Sequence, residues 1–308
     1  MTTDTGDHMT NAQDRPRATA RDYLILTKPK VISLLLLTAV GAMFIAAGGM
    51  PNWLALLGML VGGFMSAGAA GVYNMVYDAD IDVNMKRTAK RPMVKGSVTP
   101  RNALVFAVTL TVLSFVVIAL TSNVLAALLS WAGIAFYVLI YTMWLKRSTW
   151  QNIVIGGAAG AIPPLVGWAA VTNDLSLLAW ILFAVVFAWT PVHFWALALM
   201  VKKDYANVGV PMAPAVIGDR ATVMQMVFYT FLTIVLTVLP FFLHQFSLAY
   251  FLAALVLNLV LAVRMARVFQ VVRSGRTVDR VTALPLYLYS MSYLALLFVV
   301  MALDRAIF

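Results

Sequence analysis

The chain has 308 residues, 62% of them hydrophobic and only 11% charged, with a formal net charge of +10 and a mean hydropathy of +0.90. That composition excludes a soluble globule and describes an integral membrane protein. The absence of cysteine excludes disulfides, thiolate catalysis, iron–sulfur clusters and cysteine-based zinc sites.

Residues 1–22 are polar and mixed in charge, without the apolar core of a cleavable signal. They are expected to be a disordered cytoplasmic tail, leaving 23–308 as one transmembrane domain. Apolar runs of about 20 residues, enough to cross ~30 Å of hydrocarbon, predict an all-α bundle of nine spans. They lie near 31–49, 53–77, 102–121, 124–145, 152–171, 176–200, 222–243, 247–270 and 284–303. Gly156, Gly157, Gly160 and the Pro163-Pro164 pair weaken the fifth; the glycines fit close helix approach and the prolines a break. Of the 22 Lys and Arg residues, all but Arg305 fall in the tail or at and beyond the ends of spans 2, 4, 6 and 8. The positive-inside rule then places the amino terminus in the cytoplasm and the carboxyl terminus outside, and the inner (cytoplasmic) membrane of a cell is the expected location. The basic excess is a one-sided field with attraction to anionic lipid, and no nucleic-acid partner is implied.

The second span ends in Asn74-Met-Val-Tyr-Asp78-Ala-Asp80-Ile-Asp82, and Lys86, Arg87 and Arg91 follow. All 12 acidic residues of the chain are Asp, and three of them stand within these five positions. Asn74, Asp78 and Asp82 are spaced i, i+4, i+8, so a helix puts them on one face with a drift of about 40° per step. Such a column of oxygens suits Mg²⁺, which takes one or two carboxylates and completes its shell with water and phosphate. The basic run supplies the complementary half of a diphosphate site. Asp80 points about 200° from Asp78 on a continued helix and is expected to be supporting or solvated. Tyr73 and Tyr77 flank the acidic face, where packing is their simplest role.

A second polar stretch, Lys202-Lys203-Asp204-Tyr205 to Gly209-Val-Pro211-Met212, follows span 6 on the same side. Asp204 is read as the facing metal position, against the simpler reading that it offsets Lys202 and Lys203. His193 lies inside span 6, and an intramembrane histidine is a functional candidate by default, with a hydrogen bond to a neighbouring helix as the alternative.

Four stretches together resemble the UbiA superfamily of intramembrane prenyltransferases, and its heme-farnesylating branch in particular. They are Asp22 to Val31 around Thr27-Lys28-Pro29-Lys30; Asn74 to Pro92; Gln151-Asn152 through Gly156, Gly157 and Pro163-Pro164 to Trp168; and Trp189-Thr190-Pro191-Val192-His193-Phe194-Trp195 through Asp204 to Met212. Met75, Trp150, Val192 and Lys203 depart from that family's usual residues, and the changes at 75 and 203 remove oxygen ligands. The resemblance implies a UbiA-like fold with nine helices around a central cavity. It also implies transfer of a farnesyl group from farnesyl diphosphate to a vinyl group of heme B, with Mg²⁺ as cofactor and addition of water. It assigns Asn74, Asp78, Asp82 and Asp204 to the Mg²⁺–diphosphate complex. Lys86, Arg87, Arg91, Lys203 and Lys30 are the expected diphosphate contacts and His193 the expected heme contact. Heme A synthase or oxidase assembly proteins are the implied partners beyond substrate and bilayer. An aromatic or quinone-precursor acceptor stays open, because the diphosphate half is the same. A transporter with acidic gates is the reading from another class; against it, the carboxylates cluster at one membrane face instead of the midplane.

Overall fold

The computed structural model describes residues 17–85, 88 and 91–308, so Lys86 and Arg87 lie outside the described residues, as do the first 16 residues of the expected tail. The described chain is helical: α1 (Ala20–Thr27), α2 (Pro29–Ala47), α3 (Trp53–Tyr77), α4 (Ala79–Asp82), α5 (Pro92–Lys95), α6 (Pro100–Thr121) and α7 (Val124–Ala135). From α7 the chain runs through a π-helical stretch, Phe136–Leu145, into α8 (Lys146–Ser148). Then come α9 (Asn152–Thr172), α10 (Leu177–Met200), α11 (Lys202–Asn207), α12 (Ala213–Val216), α13 (Gly218–Phe242), α14 (Leu248–Arg273) and α15 (Arg280–Ile307). Helix α1 starts within the segment expected to be tail.

Among the described residues nine helices are long and apolar enough to cross a membrane: α2, α3, α6, the continuous Val124–Ser148, α9, α10, α13, α14 and α15. Each coincides with a predicted span. Helices are required because hydrocarbon offers backbone amides no partner, and their ends show how the sequence delimits them. Asn52, Thr99, Asn123, Ser176, Ser247 and Asp279 each accept hydrogen bonds from the first-turn amides of α3, α6, α7, α10, α14 and α15.

Neighbouring spans pack in chain order from α2 to α15, and α15 returns onto α2, closing a ring; α9 also lies on α2 and α10 on α15. Helix α10 is the most buried span, whereas α6 and Val124–Ser148 turn most of their surface outward. Large apolar side chains such as Val105, Leu120, Leu139, Phe231 and Leu259 are exposed on the outer faces, as lipid-facing surface should be.

Two expectations for the fifth span are corrected. Helix α9 continues unbroken through Pro163 and Pro164, so the pair opens no gap. Gly160 has open space where a Cβ would stand, while a Cβ on Gly156 would meet the Tyr141 ring at 2.3 Å and one on Gly157 would meet Thr190 at 2.9 Å. Within α9 the tightest approach is at Gly167, where a Cβ would fall 1.9 Å from the backbone oxygen of Ala39, so α9 and α2 touch backbone to backbone there.

Candidate active site at the basic end of the bundle

Helix α3 ends at Tyr77, and Asp78 caps it with φ −88° and ψ 4° before the chain re-enters the short α4. The column read as one helix is therefore two helices joined at Asp78. The bend keeps its residues together, because the amide of Asp82 still donates to the carbonyl of Asp78 at 2.9 Å. Asn74, Asp78 and Asp82 are all buried, at 4%, 0% and 2% exposure. The Asn74 amide nitrogen donates to Asp78 Oδ2 at 2.7 Å and to Thr142 Oγ1 at 3.2 Å.

Three cations close on this column from separate parts of the chain. Lys146, which follows the π-helical stretch, donates to Asp78, and Arg91, which caps α5, donates to Asp82. Lys28 Nζ donates to Asn74 Oδ1 at 2.5 Å. Lys28 is placed by two local features. It sits between α1 and α2 with φ and ψ both 58°, a left-handed conformation costly for a residue with a Cβ, and Pro29 follows it. Helix α1 is also drawn onto α3 at Gly71, where a Cβ would stand 3.1 Å from the carbonyl oxygen of Thr27. Burial pushes the Lys28 ammonium down to about 7, helped by repulsion from Arg91 and Lys146 and opposed by Asp78 and Asp82.

Asp80 stands apart as expected: it is exposed and takes two hydrogen bonds from Arg147, at 2.7 and 2.8 Å, which hold its carboxyl below the usual range. Arg147 also lies 3.6 Å from Asp78 and over the Tyr77 ring. Tyr73 packs towards α6 with its hydroxyl 3.5 Å from Thr111, whereas Tyr77 is exposed beside Arg147 and donates to the carbonyl of Met143.

The remaining candidates are spread more widely. Lys30 is exposed on the first turn of α2, and Lys28, two residues earlier, takes the inward place. Lys203 is exposed and Asp204 half-buried on α11; both line a cavity of about 320 Å³ with Lys202, Asp279 and Arg280. Lys202 pairs with Asp219, at 2.8 Å, rather than with Asp204. The Asp204 side chain has no hydrogen bond or ion pair among the described residues, while its backbone amide donates to the Val201 carbonyl at 3.0 Å. His193 is 7% exposed, stacked between Trp189 and Tyr287 at 4.5 and 4.8 Å, with Nδ1 2.8 Å from Ser290 Oγ. Its Nε2 has no hydrogen bond among the described residues. The chain breaks helix at Val201, between His193 on α10 and Asp204 on α11.

The residues present fit a hard divalent cation. Asp78 Oδ1 is buried without a hydrogen-bond partner, and the carboxylates of Asp78 and Asp82 with the Asn74 amide offer only oxygen ligands. Among the described residues no three His, Cys, Asp or Glu side chains form a ready metal cluster. This donor set therefore needs water and phosphate oxygens to complete the shell, as Mg²⁺ sites usually do. Lys146 and Arg91 hold the two carboxylates in place. With Lys28 and Arg147, four cations face three carboxylates, a surplus that suits a multiply charged anion.

The UbiA prenyltransferase family profile matches residues 34–283. The chain is 55% identical over 297 residues to a protoheme IX farnesyltransferase of Deinococcus radiodurans, covering 94% of this chain and 95% of that one. It is 56% identical over 290 residues to a protoheme IX farnesyltransferase of Thermus thermophilus, covering 94% of this chain but only 47%, about half, of that protein's length. A UbiA homologue from Archaeoglobus fulgidus, solved with DMAPP and Mg²⁺, superposes with a TM-score of 0.66 at 17% identity over 91% of this chain and 99% of that one.

Proposed function

The chain belongs to the UbiA prenyltransferase family, and we propose that it transfers a farnesyl group from farnesyl diphosphate to a vinyl group of heme B, with addition of water. The observation that carries the diphosphate half is the buried Asn74–Asp78–Asp82 column enclosed by Lys28, Arg91 and Lys146. The heme half rests on relatives named protoheme IX farnesyltransferase at 55–56% identity.

Reaction begins with heterolysis of the allylic C–O bond, the electron pair leaving with the diphosphate. Asn74, Asp78 and Asp82, with Asp204 from the second loop, would hold Mg²⁺, which would supply charge neutralisation for the departing diphosphate. Lys28, Lys146 and Arg91 give the diphosphate fixed cationic partners that need no reorganisation as charge develops, and Lys86, Arg87 and Lys203 are assigned as its further cationic contacts. The vinyl carbon attacks the farnesyl cation, a C–C bond forms, and water captures the resulting cation and loses a proton. No side-chain nucleophile is required, in keeping with a chain that lacks Cys and Glu. His193 is assigned to the acceptor: Ser290 holds Nδ1, Trp189 and Tyr287 hold the ring plane, and Nε2 is the nitrogen left to engage heme. The basic ends face the cytoplasm, with the carboxyl terminus outside, in the cytoplasmic membrane. Heme A synthase or oxidase assembly proteins would receive the product.

The purified protein with farnesyl diphosphate, Mg²⁺ and heme B is expected to give a product heavier by one farnesyl group and one water. Conversion of hydroxybenzoate or a quinone precursor, with heme untouched, would move the assignment to that acceptor class.

A further inference from the structure

Thr142 is a buried polar residue of the π-helical stretch and stands outside every motif that marks the site in the sequence. The other buried threonines of the spans, Thr38, Thr190, Thr222, Thr230, Thr233 and Thr237, each donate their hydroxyl to a carbonyl three or four residues back. That is the ordinary way to satisfy a hydroxyl inside a helix. Thr142 does not. Its one side-chain hydrogen bond among the described residues is the 3.2 Å contact it accepts from Asn74 Nδ2. The π-helix explains the difference: one extra residue per turn shifts the preceding carbonyls away from their α-helical places, and such stretches recur at functional sites.

Two consequences follow from the chemistry of the groups. Asn74 carries two N–H donors, and Asp78 Oδ2 and Thr142 Oγ1 take them. With the amide nitrogen so occupied, Oδ1 is turned towards Lys28, into the site. The Thr142 hydroxyl, accepting from Asn74, keeps its own proton with no acceptor among the described residues, at 0% exposure and one turn before Lys146, which holds Asp78. A buried donor left without a partner is costly unless a ligand supplies the acceptor.

We propose that Thr142 is a positioning residue of the diphosphate site: it orients the Asn74 amide and reserves its hydroxyl proton for an oxygen of the bound diphosphate or its water shell. The proposal deepens the prenyltransferase reading and rests on it.

The test compares Thr142→Val, which keeps the shape and removes both hydrogen-bonding roles, with Thr142→Ser, which keeps the hydroxyl. Binding of the non-reactive farnesyl thiodiphosphate with Mg²⁺ to the purified protein is measured beside steady-state turnover. Loss of about 1.5 kcal/mol, a buried hydrogen bond to a charged group, corresponds to roughly tenfold weaker analogue binding in Thr142→Val. KM for farnesyl diphosphate should rise similarly, KM for heme should not move, and Thr142→Ser should stay within about twofold of the parent. Unchanged analogue affinity in Thr142→Val overturns the proposal, and so does equal loss in the Ser variant, which would mark a packing role. If Thr142→Val does not yield monodisperse protein, Thr142→Ala carries the same comparison with Ser. A parent protein that binds no farnesyl thiodiphosphate overturns the prenyltransferase reading itself, a separate outcome from wild-type-like binding in the Val variant.

Discussion

Asp78 and Asp80 are two residues apart and chemically identical, yet the structure gives them opposite surroundings, which makes their isosteric amides a sharp comparison. The Asp78 side chain is 1% exposed, is bonded by Lys146 and Asn74, and keeps one oxygen without a hydrogen-bond partner. Asp78→Asn removes a buried charge at the place where leaving-group charge must be stabilised. Deleting one preorganised group of that kind costs about 3–4 kcal/mol, or roughly 10²–10³ in turnover. The Asp80 side chain is 59% exposed and its pairing is with Arg147. Asp80→Asn removes an exposed ion pair worth at most about 1 kcal/mol, so activity should fall no more than about fivefold. The assay is formation of the farnesylated, hydrated heme by purified protein in lipid nanodiscs, with farnesyl diphosphate and Mg²⁺ saturating for the parent, and monodispersity of both variants checked first. Parent-like turnover in Asp78→Asn would remove the assignment of the column to the metal–diphosphate complex. Equal loss in the two variants would show that burial is not what separates their roles.

Because the free Lys28 ammonium titrates near 7 and a bound anion favours its charged form, affinity for farnesyl thiodiphosphate should be full below pH 7. Above it, affinity should fall by up to about tenfold per pH unit. Lys28→Arg, which stays charged, should flatten the profile, and identical profiles for the two proteins would dismiss Lys28 as the titrating group. His193→Phe keeps a ring between Trp189 and Tyr287 and removes the nitrogens. Its thermal midpoint and analogue affinity should hold while heme-dependent turnover drops at least tenfold; unaltered turnover would leave His193 a packing residue. Gly167→Ala drives a Cβ into the Ala39 carbonyl and should destabilise by about 3 kcal/mol, seen as a lower unfolding temperature, whereas Gly160→Ala has room and should be neutral. Equal midpoints for the two alanine variants would contradict the backbone contact between α2 and α9.

The features legible in the chain are those that one or two helical turns can encode. Apolar runs long enough for the bilayer located all nine spans, because hydrocarbon accepts little else. The i, i+4, i+8 spacing put Asn74, Asp78 and Asp82 on one buried face and Asp80 off it, because those positions are related by rotation about a single axis. A one-residue bend at Asp78 was small enough to preserve that relation. Apart from Arg91, nine positions from Asp82, the partners of the column were not legible, since Lys28 lies 46 positions from Asn74, and Lys146 and Thr142 each lie 68 positions from their partners. No periodicity links residues on different helices. Lys30 and Lys28 are equally basic on paper, and only the left-handed turn at Lys28 together with the close contact at Gly71 turned one inward and left the other exposed. The π-helical stretch likewise has no clear signature in Phe136–Leu145, which reads as an ordinary apolar run. Its effect on Thr142 exists only where α3 and the fourth span meet. Tertiary packing decided which cations face the carboxylates, because burial of a charge is favourable only beside its partner, and the ring of helices chooses that partner.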